Sequence, residues 1–427
     1  MGVSDLTFDD RLTRPDRLVL QQLGEDISAF VASGSSDQAV GKEDEDQPLV
    51  TKLKALNNPS DPRFEPTVFT SYDLDEAYAA IPKPLHGLFK RYIGWAQRVA
   101  RVETDVVLVT HLLIYFGMTL PSAILLFVLP FSYLHAIGHM LMQATFMGPY
   151  TLLKHQHIHQ RGVLAKQFFL IDKCFPYVMD PLMGHTWNSY FYHHVKHHHV
   201  EANGPGDLSS TIRYQRDSLV SFLQYLGRFY FFVWLDLPRY FWRTKKTVLA
   251  GKAAFWEVGN YVALYFMYRF NPAATLVTLI IPLTLMRIAL MVGNWGQHAF
   301  VDEGEPDSDY RSSITLIDVA SNRFCFNDGY HTSHHLNPLR HWRDHPSAFL
   351  QGRDEYARQG ALVFHDIDYV FITVRLLMKD YAYLAARLVP IGAEQIAMSQ
   401  DERVALLKRH TRAFSEEEIR VKFSKQP

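Results

Sequence analysis

"VVLVTHLLIYFGMTLPSAILLFVLPFSYLHAIGHMLMQATFMGPYTLLKHQHIH", residues 106–159, decides how this chain folds. From Val106 to Leu153, 48 residues pass without one Asp, Glu, Lys or Arg. Lys154 ends the run, and His155, His157 and His159 follow at once. As a single helix such a run would be about 72 Å long, more than twice the roughly 30 Å hydrocarbon core of a bilayer. Two membrane spans folded back at Thr119-Leu120-Pro121 fit the length, because proline interrupts the helical ladder. A second region, Ala253–Phe300, carries only Glu257, Arg269 and Arg287 and reads as another pair, split at Phe270-Asn271-Pro272. A soluble core can produce one such run; two of this length favour a membrane.

Basic residues set the orientation. Lys90, Arg91, Arg98 and Arg101 precede the first span, and Arg239, Arg243, Lys245, Lys246 and Lys252 precede the third. The turns inside the hairpins hold only Arg269. The positive-inside rule then places both termini and the central segment in the cytoplasm, with every histidine cluster on that side. No charged-then-apolar leader resembles a signal peptide, so the first span would direct insertion. Leu6 stands where a myristoylation signal needs Ser or Thr.

The formal net charge of -1 and pI near 7.1 give no basic excess for nucleic acid. Two distant cysteines, Cys174 and Cys325, make neither a disulfide framework nor a thiolate metal site. The expected class is an all-α integral membrane fold, with four transmembrane helices and a cytosolic histidine-rich cap. Residues 1–72 read as a polar, partly disordered cytosolic arm around "GSSDQAVGKEDEDQPL". Residues 73–102 read as an interfacial helix region, 103–350 as the membrane domain and 351–427 as a cytosolic helical tail. Within the membrane domain, Arg228, Asp236 and Pro238 interrupt the apolar stretch 219–242, which therefore reads as an amphipathic helix at the interface.

Of 21 histidines, nine lie between His155 and His199. Four groups stand out: "HQHIH" with His155 and His159, "HHVKHHH" over 193–199, "NWGQH" with Asn294 and His298, and "HTSHH" with His331, His334 and His335. On a helix, residues three or four apart share a face, so H-x-x-x-H and the outer members of H-x-x-H converge on one point. An adjacent histidine swings about 100° away and reaches a neighbouring metal. Eight or nine imidazoles exceed the needs of one zinc, and two redox-active irons with open positions for dioxygen fit the count. Glu201, Asp207, Asp302 and Asp328 are placed to accept the other ring N–H of such ligands or to cap helices. His135 and His139 have the spacing of an alternative first group but sit inside the apolar run, where a pair also serves to line a bundle. A lone His111 or His410 reads as packing or solvent.

These residues resemble the membrane fatty acid desaturases of the histidine-box superfamily, which also contains lipid hydroxylases and carotenoid-modifying enzymes. The resemblance covers about residues 103–350. It implies a di-iron centre held by His155 and His159, by His194 with His197, His198 or His199, by His298, and by His331, His334 and His335, with Asn294 approaching one iron through water. The second box is over-supplied: both His194-x-x-His197-His198 and His194-x-x-x-His198-His199 are possible spacings. His157 is an extra in the first box. No HPGG stretch occurs, so the implied electron donor is a separate b-type cytochrome or a ferredoxin, with its reductase.

The implied activity is oxygen-dependent desaturation of a lipid acyl chain. Hydroxylase and ketolase outcomes share the same hydrogen-abstracting centre. Arg213, Arg216 and Arg228 are candidates for holding an anionic head group or are solvated surface charge. The membrane is the endoplasmic reticulum in a eukaryote or the inner membrane in a bacterium. A divalent-metal transporter with His-rich loops is the rival from another class, but the first pair of spans lacks the charged midplane residues that transport needs.

Overall fold

The computed structural model describes residues 12–33, 43–70 and 72–423. They form two compact units, each assembled from separated stretches of chain. The first comprises Phe64–His197 and Arg228–Leu290; the second comprises Met1–Arg63, His198–Gly227 and Met291–Pro427. The division passes through the second histidine tract, between His197 and His198.

The first unit is built from helical hairpins. Its opening apolar run is helical from Val106 to Val128, with no reversal at Thr119-Leu120-Pro121. That corrects the expected break. Tyr115–Thr119 form a wide π turn, in which Leu120 N–H reaches Tyr115 O. The widened turn loosens the ladder just ahead of Pro121, whose missing N–H and ring would otherwise break it. The chain reverses instead around Leu129-Pro130. Leu129, which precedes a proline, is extended (φ −98°, ψ 164°), and that ends the helix. Ser132 then caps Tyr133–Gln160, its hydroxyl accepting from His135 N–H.

The second hairpin reverses where the sequence says it should. Thr247–Phe270 stops at Asn271, whose side chain accepts from Ala274 N–H and donates to Phe127 O at 3.2 Å. Another π turn, Leu276–Ile280, stands just ahead of Pro282, so one device carries both apolar helices through a proline. Leu126, Ala136, Ala274 and Val277 pack together where the hairpins meet. Gln143 Nε2 donates to Leu182 O and Thr278 O, satisfying a buried amide inside the bundle. Among the described residues two helices, Val106–Val128 and Pro272–Gln297, are long and apolar enough to cross a bilayer. Tyr133–Gln160 and Thr247–Phe270 bury His139, Gln143, Glu257 and Asn260 and are more polar.

The second unit departs from an all-helical plan by a small sheet. Ile314–Ile317 pairs parallel with Leu362–His365, which pairs antiparallel with Leu388–Val389. All of these residues are buried, and their β-branched and aromatic character suits a strand covered on both faces. Helix elsewhere dominates both units. Leu12, Val19, Leu20, Leu23 and Ile27 pack on Ile317, Tyr330, Phe349 and Tyr356. The stretch expected to be a loose polar arm therefore contains a docked helix, Arg14–Ser33, because its apolar residues recur at helical spacing. The acidic tract at 34–49 lies largely outside the described residues. In the tail, Gln400–Arg409 and Glu416–Lys422 each open with a capping box, Ser399/Glu402 and Ser415/Glu418.

Candidate metal centre

The first unit brings three expected ligands together. His155 and His159 lie one turn apart at the end of Tyr133–Gln160, and their rings are 4.7 Å apart. His194 Nε2 faces His155 Nε2 at 2.8 Å, and its ring lies 5.1 Å from that of His159. His157 points elsewhere, as a residue two positions along a helix must; its Nε2 donates to Asp172 O at 2.9 Å and its ring packs on Phe175. His135 and His139 both reach Ser122 Oγ, at 2.9 and 3.0 Å, so they line the bundle.

The second tract, Phe191–His198, is a π-helix. Its bonds run to the fifth residue instead of the fourth, which lengthens the ligand spacing by one. His194 clusters with the first box, while His198 and His199 cluster with the third, the arrangement that the spacing His194-x-x-x-His198-His199 would give. His197 belongs to neither group. Its ring meets Tyr240 at 4.2 Å, edge to face, and His193 packs on Phe229.

The second unit holds a four-imidazole cluster. Nitrogens of His198, His298, His331 and His335 lie within 4.8 Å of one another, and all four residues are buried. His331 Nε2 stands 3.3 Å from His298 Nε2 and 3.1 Å from His335 Nε2. His334 Nε2 faces His199 Nε2 at 2.8 Å. The other ring nitrogens fix the tautomers. His298 Nδ1 donates to Ser312 O at 2.7 Å, and His198 Nδ1 donates to Asp207 Oδ2 at 2.8 Å. Asp207 is itself held by the amide and hydroxyl of Ser209. His335 Nδ1 lies 3.4 Å from Asp309. Asn294 gives both amide protons away, to Ser209 O and to Tyr225 Oη, which leaves its oxygen to accept from water.

Burial, reinforced by neighbouring imidazoles, pushes His298 and His331 well below the usual histidine range. Burial also lowers His335, against the pull of Asp309. A neutral ring whose outer N–H is committed, as His298 is to Ser312 O, points its Nε2 lone pair inward. Several inward lone pairs at this spacing repel one another unless a cation sits among them, so the donor set fits a divalent metal that favours imidazole.

Of the four carboxylates named from sequence, Asp207 supports a clustered histidine. Asp302 instead caps its own turn through Gly304 and Glu305 N–H and faces His410. Asp328 is half-buried, and desolvation raises its carboxyl to about 7. Asp309 and the Ser312 carbonyl escaped the sequence reading, because no spacing rule points to them. The three candidate head-group arginines are engaged elsewhere. Arg213 pairs with Glu416, Arg228 with Asp236, and the buried Arg216 donates to Thr211 O, His410 O and Arg412 O.

Beside His193, the first unit contains an apolar-walled cavity of about 60 Å³, lined by Tyr190, Phe229, Val233, Leu237 and Leu290. His185 also lines it, and its Nε2 bonds Thr151 Oγ1 at 2.9 Å. The Glu257–Arg287 ion pair closes one side. Thr186, Ser189 and Tyr261 donate to the same carboxylate, so the charge is fully satisfied.

A family model for fatty acid desaturases matches residues 134–366, a span that includes every clustered histidine and covers more than half of the chain. No curated protein and no solved structure matches. The chain belongs to the fatty acid desaturase family and is an oxidoreductase of lipid metabolism.

Proposed function

We propose that this protein introduces a double bond into the acyl chain of a membrane lipid, using dioxygen and two histidine-held irons. The observation that carries the reading is the buried cluster His198, His298, His331 and His335, in which Asp207 and the Ser312 carbonyl take the outer ring N–H of His198 and His298. These residues, with Asn294 through water, are the proposed ligands of one iron. The family resemblance gives His155, His159, His194, His199 and His334 as further iron ligands. When bound, the irons supply activation of dioxygen and removal of hydrogen from an unactivated methylene.

The remaining tasks fall to the chain's own side chains. Asp207 and the Ser312 carbonyl hold ring N–H groups so that Nε2 stays available. The cavity walls Phe229, Val233, Leu237 and Leu290 give an acyl segment a water-poor surface to lie against. Each desaturation consumes one dioxygen, two electrons and two protons and releases two waters, so the proposed partner is an external b-type cytochrome or ferredoxin with its reductase. The proposed setting is four membrane spans, with both termini on the cytoplasmic side. Family membership favours oxidation over metal transport.

The test is expression with a competent reductase in a host of simple lipids, followed by mass spectrometry of total acyl chains. Acyl species lighter by two hydrogens support desaturation. Species heavier by one oxygen select the hydroxylase reading. An unchanged profile from iron-loaded protein refutes both.

A further inference from the structure

The helix Tyr369–Leu377 begins just past the family-matched segment and is apolar on two sides. Tyr369, Ile372, Thr373 and Leu376 are buried in the second unit. Val370, Phe371, Val374 and, one residue beyond the helix, Met378 point outward and are 49, 56, 42 and 66% exposed. At spacings of one, four and eight residues they form a single stripe. A short helix that is apolar around most of its circumference is covered on both sides in its working state.

What holds the inner face identifies what covers the outer one. Thr373 Oγ1 donates to Val292 O at 2.9 Å. A Cβ added at Gly296 would lie 2.4 Å from Tyr369 O, so the glycine of "NWGQH" permits direct backbone contact. The helix therefore lies against the last turns of Pro272–Gln297, one of the two helices apolar and long enough to cross a bilayer. The outward stripe therefore lies beside the histidine-bearing end of that helix.

Cations flank it. Lys379 closes the stripe, its side chain 65% exposed and its Nζ 4.0 Å from Asp217, and Arg375 stacks on Tyr383 while pairing with Asp380. Asp217 accepts from Tyr381 Oη and lies two residues ahead of Leu219–Arg243, whose first turns expose Leu219, Val220 and Leu223.

We infer that Val370, Phe371, Val374 and Met378 form a membrane-seating face, inserted at the boundary between head groups and acyl chains. Lys379 reaches from that depth to the lipid phosphates. This part of the tail is thus a lipid contact as well as cytosolic packing, and it anchors the unit that carries His298, His331 and His335. A bilayer is favoured over a second copy of the chain because the stripe adjoins a helix long and apolar enough to cross one.

The test uses full-length protein in phosphatidylcholine vesicles with Cys174→Ser and Cys325→Ala. Single cysteines at Phe371, Val374 or, as a water-exposed control, Glu394 carry a bimane label. Nitroxide attached to the lipid acyl chains should quench Phe371→Cys and Val374→Cys strongly and Glu394→Cys little, and aqueous iodide should do the reverse. Equal iodide quenching at all three positions would overturn the proposal. So would labels at 371 and 374 that neither quencher reaches, which would mean a protein partner covers the stripe. The readout needs no turnover, so its failure leaves the proposed reaction standing, and failure of that reaction leaves this result interpretable.

Discussion

The two units present their histidines by different means. In the first, two of three clustered rings, His155 and His159, sit one turn apart on a 28-residue helix, and the helix itself aims them. In the second, His198, His298, His331 and His335 come from three separate segments, and aim is supplied by Asp207, Asp309 and the Ser312 carbonyl. Ligands on one helix are positioned by backbone periodicity, whereas ligands gathered from loops and helix ends need a carboxylate or carbonyl to fix each ring. The second cluster is therefore the more sensitive to changes outside its ligands.

The largest effect should come from His331→Ala, which removes the nitrogen closest to both His298 and His335. Elemental analysis should find iron lost from the purified variant and acyl analysis no product, while the protein stays in the membrane. Next, Asp207→Asn keeps the shape but gives up the charged acceptor for His198 Nδ1. Iron affinity or turnover should fall about 10–100-fold, the usual cost of losing such a partner. If Asp207→Asn binds iron as the parent does, the contrast between the two clusters fails.

A smaller effect should appear at the N-terminal helix. Asp16 is buried and accepts from Tyr330 Oη at 2.5 Å, from Asn322 Nδ2 and from Asp318 N–H; desolvation raises its carboxyl to about 6. A carboxyl whose folded-state value is raised contributes full stability at low pH and loses it as pH rises toward the folded value. Docking of Arg14–Ser33 should weaken between about pH 4 and pH 6, by on the order of 3 kcal/mol for an upward shift of this size. Asp16→Asn should flatten that slope in thermal unfolding followed by limited proteolysis. An unchanged slope would show that Asp16 titrates normally. The smallest effect belongs to His157→Ala and His197→Phe, which should leave iron content at the parental level, since His157 bonds Asp172 O and His197 packs on Tyr240. Iron loss in either would restore the residue to the ligand set.

Much of this was legible in the sequence, for identifiable reasons. The missing charge over 106–153 and its near-absence over 253–300 are solvent arguments, and they located the two hairpins. The Phe270-Asn271-Pro272 reversal was readable because Asn caps a helix that Pro can start. Thr119-Leu120-Pro121 misled because proline alone does not tell a break from a π turn that absorbs it. The same local geometry bears on His197 and His199: a π-helix shifts the useful spacing by one, and neither register has a distinctive composition. Asp309 and Ser312 depend on long-range contacts, which no local pattern encodes, whereas the helix Arg14–Ser33 has a helical apolar pattern that the polar composition around it masked.

The most direct test of the central claim is the metal content of the purified full-length protein, measured for iron and zinc together in the parent and in His331→Ala. The account requires tightly held iron approaching two per chain in the parent, with little zinc, and a clear fall in the variant. Exchangeable zinc in place of iron, or the same iron in both proteins, would contradict it.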